Sequence, residues 1–250
     1  TPFDISTATK TSQTDLLGSD ASSVLKYPHA IEFKPDGTKM FVTAGDAVAS
    51  VYQYNLTTPW DSSSAEFETI HAVSRDTDTR HLRTLAFKPD GTRMYTGGKS
   101  TDVTESKIKQ FTLTNPWDLT SGVSAAVVSD DLGSSEPNLR NAQFDSTGKI
   151  LYVGGNDSDD IHKYTLSTPF DISTATKTSQ TDLLGGGSTP VLKFPHAIEF
   201  KPDGTKMFVV SGDQFSDIYQ YRLTTAWDSS SAELETIHAV SRDTDTRHLR

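Results

Sequence analysis

The chain contains no cysteine, which excludes a disulfide scaffold, thiolate metal sites and a cysteine nucleophile, and leaves the redox compartment open. It has no apolar run near the roughly 20 residues a membrane-spanning helix needs, and no signal peptide is visible, so no membrane insertion is expected. Basic residues are the minority. The 23 Lys and Arg against 33 Asp and Glu give a formal charge of -10, which disfavours a general electrostatic hold on nucleic acid or on an anionic membrane. Enzyme signatures are missing as well: there is no GxSxG elbow, no HExxH, no P-loop and no dinucleotide fingerprint. What is present is polar, with 34% hydrophobic residues and a mean hydropathy of -0.47, yet too rich in Val, Ile, Leu, Phe and Tyr for disorder. The chain should fold. It begins at Thr1 without Met and stops at Arg250 inside a motif seen earlier, which reads as a mature product or an excised segment.

Self-similarity dominates the sequence and decides the fold class before any strand is assigned. Residues 1–83 recur at 168–250 with 16 differences in 83 aligned positions. A shorter beat lies inside. An aromatic followed by Asp occurs at Phe3-Asp4, Trp60-Asp61, Trp117-Asp118, Phe170-Asp171 and Trp227-Asp228, in steps of 57, 57, 53 and 57 residues. Phe-Lys-Pro-Asp-Gly-Thr opens at Phe33, Phe87 and Phe200, and a worn Phe-Asp-Ser-Thr-Gly opens at Phe144. Copies this close indicate recent duplication or deliberate repetition.

Each unit of about 56 residues alternates apolar and polar positions with period two, as strands do. In the second unit, HLRTLAFK (81–88) is followed by the turn former Pro89-Asp90-Gly91, then by TRMYTGG (92–98), KIKQFTL (107–113) and GVSAAVVS (122–129). Four antiparallel strands per unit make one small sheet that cannot bury both of its faces alone, and repeated radially such sheets form a β-propeller. The structural rival, a parallel β-helix, has shorter coils and no recurring tight hairpins. The expectation is an all-β propeller of four-stranded antiparallel blades, with four complete blades and one extra outer strand per chain. The boundaries are 1–18 for the outer strand, 19–75, 76–130, 131–184 and 185–243 for blades 1 to 4, and 244–250 for the start of a further unit.

The repeated residues have structural roles to fill. The Trp/Phe-Asp pair is expected to pack its ring between neighbouring sheets while the Asp caps the following turn. Tyr52 and Tyr54, matched by Tyr219 and Tyr221, lie two apart and share a strand face, which suits core packing better than a platform for stacking sugars.

Candidate binding residues sit where propellers present loops. The residue four before the Phe that ends each first strand is His29, Arg83, Arg140 or His196, with Arg250 next in the series. Propeller symmetry would gather these into a ring at one end of the channel, a seat for a carboxylate, phosphate or sulfate group. The competing reading gives each a hydrogen bond to carbonyls or to an Asp of the next blade, such as Asp76 or Asp78. The loops between second and third strands are mostly acidic, and Asp157, Asp159 and Asp160 are candidate oxygen ligands for Ca²⁺. Their spacing fits no EF-hand or RTX nonapeptide, so no metal or other cofactor is assigned, and no catalytic residue. The mixed-charge stretch SRDTDTRH (74–81, again 241–248) is expected to neutralise itself.

PDGTKMFV (35–42), VYQYNLTTPWD (51–61) and their copies resemble the tandem propeller repeats of the YVTN and lactonase-like superfamily, most closely repeats of large secreted bacterial proteins and marine phage structural proteins. The resemblance covers essentially the whole chain, and it rests on turn formers and core aromatics, so it transfers no catalytic residue. It implies an extracellular or virion-associated structural protein or binding module. The expected function is therefore a non-enzymatic repeat scaffold that contacts protein or glycan through its loop-bearing face. A lactonase-like or other hydrolase with its site at the channel mouth is the first alternative, and a purely structural or engineered repeat without ligand the second. One outer strand is left over, so the chain itself is the expected partner, as a homo-oligomer whose ring closes between two chains or as a segment of a longer tandem array, with a lone four-bladed ring as the third and less favoured reading.

Overall fold

The computed structural model describes residues 25, 28–44, 49–74, 81–99, 107–129, 136, 138–156, 160–182, 192, 194–211 and 217–239. The segments expected to form the spare outer strand (1–18) and a further unit (244–250) lie outside these, as do Asp76, Asp78 and Arg250. Two compact units are present, one within residues 11–133 and the other within 134–250. Each holds two blades.

Alternating patterns and tight turns build every blade in the same order. Blade 1 is β1 (Pro28–Phe33), β2 (Lys39–Ala44), β3 (Ala49–Leu56) and β4 (Ala65–Ser74), and blade 2 is β5 (His81–Phe87), β6 (Arg93–Lys99), β7 (Lys107–Asn115), β8 (Asp118–Val123) and β9 (Val127–Ser129). Blade 3 is β10 (Leu139–Phe144), β11 (Ile150–Gly155), β12 (Asp160–Leu166) and β13 (Ala175–Asp182), and blade 4 is β14 (Pro195–Phe200), β15 (Lys206–Ser211), β16 (Ile218–Leu223) and β17 (Ala232–His238). All pairings are antiparallel, and all but that of β7 with β9 join neighbours in sequence. The protein is all-β, with the four-stranded blades of a β-propeller.

Blade 2 departs from the expected outer strand over 122–129. The edge is filled by two short pieces, β8 and β9, both paired with β7. The cause lies in the turn before it. In the other three blades the Asp after the aromatic opens a short 3-10 turn, Ser62–Ser64, Ile172–Thr174 or Ser229–Ser231, that carries the chain to the edge. In blade 2, Asn115 pairs directly with Asp118, so pairing starts early, and its register slips before Val123 meets Leu113, in a stretch where Gly122 takes a φ of +118°.

The first hairpin shows how the repeated residues work together. Asp36 Oδ1 accepts from the Thr38 amide at 3.0 Å and the Thr38 hydroxyl at 2.6 Å, while Gly37 takes a φ of +71°. The same bonds hold Asp90 with Thr92 and Asp203 with Thr205. Partial burial pulls the other way, but hydrogen bonds from Lys88 and Thr92 hold the Asp90 carboxyl down at about 2.

The aromatic of each repeat does more than its spacing suggests. Its ring lies on the glycine of its own blade's hairpin, and that of Trp117 also packs between sheets as expected, against Phe41 of blade 1. A Cβ on Gly91 would stand 2.0 Å from Trp117 Cδ1, and Gly37, Gly148 and Gly204 meet Trp60, Phe170 and Trp227 in the same way. The Trp117 amide donates to the Gly91 carbonyl at 3.1 Å, and Trp117 itself adopts a φ of +60°. A left-handed aromatic costs about 1–2 kcal/mol, and the lock between the two turns of the blade offsets it. The Asp does cap as expected: Asp61 Oδ1 accepts from the Ser63 amide at 2.9 Å.

Each blade has two faces, set by strand register. In blade 1 the face of Phe41, Gln53, Val51 and Thr43 turns toward blade 2 and joins Leu85, Phe87, Met94, Phe111 and Trp117 in one core. Blade 3 presents Tyr152 and Ile161 to Ile198, Phe200, Met207, Tyr219 and Tyr221 of blade 4 in the same manner. Tyr52, Tyr54, Tyr219 and Tyr221 are all buried, which makes them core residues.

The polar part of each joint falls on the aromatic-Asp turn of the following blade. Gln53 Oε1 accepts from the Leu119 amide at 2.8 Å, with Leu119 two residues past Trp117. At the same strand position in blade 3, Lys163 Nζ stands 3.7 Å from Asp228 Oδ1. Thr181 and Ser229 share a hydroxyl bond at 2.8 Å, and the Tyr152 hydroxyl donates to the Trp227 carbonyl. Blade-to-blade docking is thus one motif used twice.

Candidate functional site

His29, Arg83, Arg140 and His196 all fall at the same irregularity. In every blade the pairing of the first and second strands slips at this point: between Pro28 and Ile31, Leu82 and Thr84, Leu139 and Asn141, and Pro195 and Ala197. A bulge puts extra residue against the partner strand and re-aims its side chain, a device common beside functional sites. Here it acts on a cationic or imidazole residue four times over. The bulge is invisible in the residue pattern, which fixed only the distance to the following Phe.

The four side chains are half-buried and differ in what they meet. Arg83 lies in the unit within 11–133, and burial lowers its guanidinium affinity for its proton. Its Nε has no hydrogen-bond partner, and neither has Arg140 Nε in the other unit. His196 Nε2 bonds Asn156 Oδ1 at 2.5 Å, which ties it to the loop after β11 of the preceding blade. His196 is thus tied to an Asn of the preceding blade, where the alternative reading expected a carbonyl or an Asp of the next one. Beside it, Gln143 Nε2 donates to Glu199 Oε1 at 2.8 Å, joining the first strands of blades 3 and 4.

The acidic loop is only partly in view. Asp157 and Asp159 lie outside the described residues, and Asp160 Oδ2 accepts from Gln180 Nε2 at 2.7 Å across β12 and β13. Among the described residues no group of three or more His, Asp or Glu side chains is placed to hold a metal ion. No helix among them is long and apolar enough to cross a membrane.

Sequence reasoning passed over the Gln53 position, a polar residue between two tyrosines of one strand. Period two places it on the face opposite the tyrosines, and that alternation was the available signal.

No protein-family profile matches the sequence, and no curated protein matches it. Solved structures do. The chain is similar to the periplasmic gluconolactonase of Pseudomonas aeruginosa, with a TM-score of 0.53 and 12% identity over 89% of this chain and 59% of that one. The fold they share with this chain is the β-propeller. A protein from Lactobacillus plantarum aligns with a TM-score of 0.54 and 15% identity over 85% of this chain and 55% of its own. A candidate 6-phosphogluconolactonase from Bacteroides fragilis aligns with a TM-score of 0.50 and 14% identity over 86% of this chain and 55% of its own. The chain thus spans 55–59% of the length of these structures. At such identities the likeness to lactonase-type propellers describes the fold alone.

Proposed function

We propose that the chain is a non-enzymatic repeat scaffold and recognition module of an extracellular or virion surface assembly. It engages anionic groups of protein or glycan partners through the blade ends that carry His29, Arg83, Arg140 and His196, and it assembles with further copies of itself. The observation that supports this most is the recurrence of the first-strand bulge at a cationic or imidazole residue in all four blades. Near-identical blades repeat one contact many times, which suits multivalent holding. An acid, a base and a nucleophile in distinct roles would need blades that differ.

Binding of carboxylated and sulfated glycans, immobilised as a panel, checks the site. Arg83→Ala with Arg140→Ala should weaken the captured ligand about tenfold or more, since a hydrogen bond to a charged group is worth about 1.5–3 kcal/mol. Both guanidinium Nε atoms lack partners, so the fold should survive the change. Unchanged affinity for every ligand on the panel would remove these residues from the site.

A further inference from the structure

The first strands of blades 3 and 4 carry an unfinished hydrogen-bond pair. Gln143, on β10, gives its Nε2 to Glu199 Oε1, on β14, at 2.8 Å. With the amide turned that way its other end is left over, and Gln143 Oε1 is buried without a partner. A buried acceptor with no donor costs free energy. An ionised carboxyl beside it cannot supply the donor, because it only accepts, whereas a protonated one carries an O–H. The joint of blades 1 and 2 has no such pair, since Glu32 stands at the repeat position of Gln143 and Ala86 at that of Glu199.

The setting of Glu199 favours the proton. Solvent reaches the residue from one side, so a proton can come and go without unfolding. The protein around it strips enough water from the carboxyl to raise its proton affinity above the ordinary glutamate range, and the bond from Gln143 offsets this in part. Other charges do not account for it. The elements packed against β14 are β10, β11 and β15, whose titratable or charged groups are Arg140, Tyr152 and Lys206, with His196 on β14 itself. The Tyr152 hydroxyl donates to the Trp227 carbonyl, Lys206 holds Glu235 at 2.7 Å, and His196 bonds Asn156. Lys201, just past β14, holds Asp203. Arg140 lies at the bulge three residues before Gln143, and a cation there would lower the affinity of a carboxyl for its proton.

We propose that Glu199 and Gln143 form a proton-operated latch between the first strands of blades 3 and 4, in which protonated Glu199 donates its O–H to Gln143 Oε1 while Gln143 Nε2 donates to the other carboxyl oxygen. Uptake of the proton adds a bond, fills the empty acceptor and removes a charge. Its loss leaves one bond and a poorly hydrated carboxylate. A carboxyl whose proton is held more tightly in the folded chain than in the unfolded one stabilises the fold most at low pH. The contribution is complete below the ordinary value of 4.5 and is lost as pH rises through the higher folded value. Turn carboxyls held low, such as Asp90, act in the opposite sense. The latch joins the two strands that carry Arg140 and His196, yet it requires no ligand at either.

Glu199→Gln copies the protonated pair, because a glutamine there offers Gln143 Oε1 an N–H at every pH. At about pH 8 its thermal unfolding midpoint in the full chain should lie about 2–4 °C above that of the parent, the shift for about one hydrogen bond in a chain of this size, and at about pH 4 the two should agree within about 1 °C. In a ¹³C NMR titration the Glu199 carboxyl, identified by its loss from the variant, should have its midpoint above 4.5. With Gln143→Leu in place, the gain from Glu199→Gln at the higher pH should fall to about half or less, because the acceptor is gone. A gain undiminished by the leucine would mean that removal of the charge alone stabilises the variant, and would overturn the proposal. A gain equal at both pH values, or a Glu199 midpoint at or below 4.5, would overturn it as well.

Discussion

Trp117→Ala should lower the unfolding free energy by about 3–5 kcal/mol, the range for emptying a buried aromatic site. Three contacts disappear with the ring. It covers Gly91, it stacks on Phe87 at 4.7 Å and 27°, and it reaches Phe41 of blade 1 at 6.1 Å. Gly91→Ala should cost a similar amount, because the new methyl meets the ring at a φ of +73° where a side chain is already strained. The two substitutions together should cost less than their sum, since the alanine methyl at 91 enters space that the indole has left. Trp60→Ala, at the exposed counterpart, should cost no more than about 1–2 kcal/mol, because less apolar area is removed from the interior. Urea midpoints of the four variants check the set. Equal losses at Trp60 and Trp117 would show that the ring acts within its own blade alone and that blade docking adds nothing.

Gln53→Leu should destabilise the chain by about 2–4 kcal/mol, because it strands the Leu119 amide and removes a donor from Glu68 in one step. Gln53 is fully buried, so water has no route to replace either bond. Lys39 remains to hold Glu68, with its Nζ at 2.9 Å, which keeps the carboxylate from being left alone. Gln220→Leu is the informative partner. It removes a donor from Glu235, which Lys206 still holds at 2.7 Å, but it strands no amide and deletes an acceptor that had no partner. Its cost should be at most about half that of Gln53→Leu, judged from one lost hydrogen bond against two unmet groups. Equal destabilisation by the two leucines would mean that the bond to Leu119 carries little of the joint between blades 1 and 2.

Much of this architecture is written in residue types. Pro-Asp-Gly-Thr places a hairpin because glycine is needed at positive φ and the Asp side chain closes the turn, and both effects are local. Period-two alternation then assigns faces, which is why the tyrosines of the third strand could be put in the core before any coordinates. The covering of the hairpin glycine by the aromatic was missed because that glycine lies more than twenty residues earlier in the chain, Gly37 for Trp60 and Gly91 for Trp117. The split edge of blade 2 was missed for a related reason, since Asn115 and Asp118 pair directly where the other repeats form a 3-10 turn. The candidate site was legible as a set of positions and not as a geometry. His29, Arg83, Arg140 and His196 could be aligned by counting back from a Phe, but a bulge is a matter of two residues facing one, and no side chain announces it. Alternation could have placed Gln53 on the face opposite the tyrosines, but its partner, a backbone amide 66 positions away, was beyond reach.

Recognition rather than turnover is the centre of this account, and the likeness in fold to a gluconolactonase names the activity to challenge it with. The deciding measurement is the hydrolysis rate of a panel of sugar lactones and simple esters by the purified chain, with Mg²⁺, Ca²⁺ or Zn²⁺ and with chelator. The account predicts a rate equal to buffer under every condition. Saturable, enzyme-concentration-dependent hydrolysis of any member, above all one abolished by chelator, would contradict it and make the chain a lactonase-type enzyme.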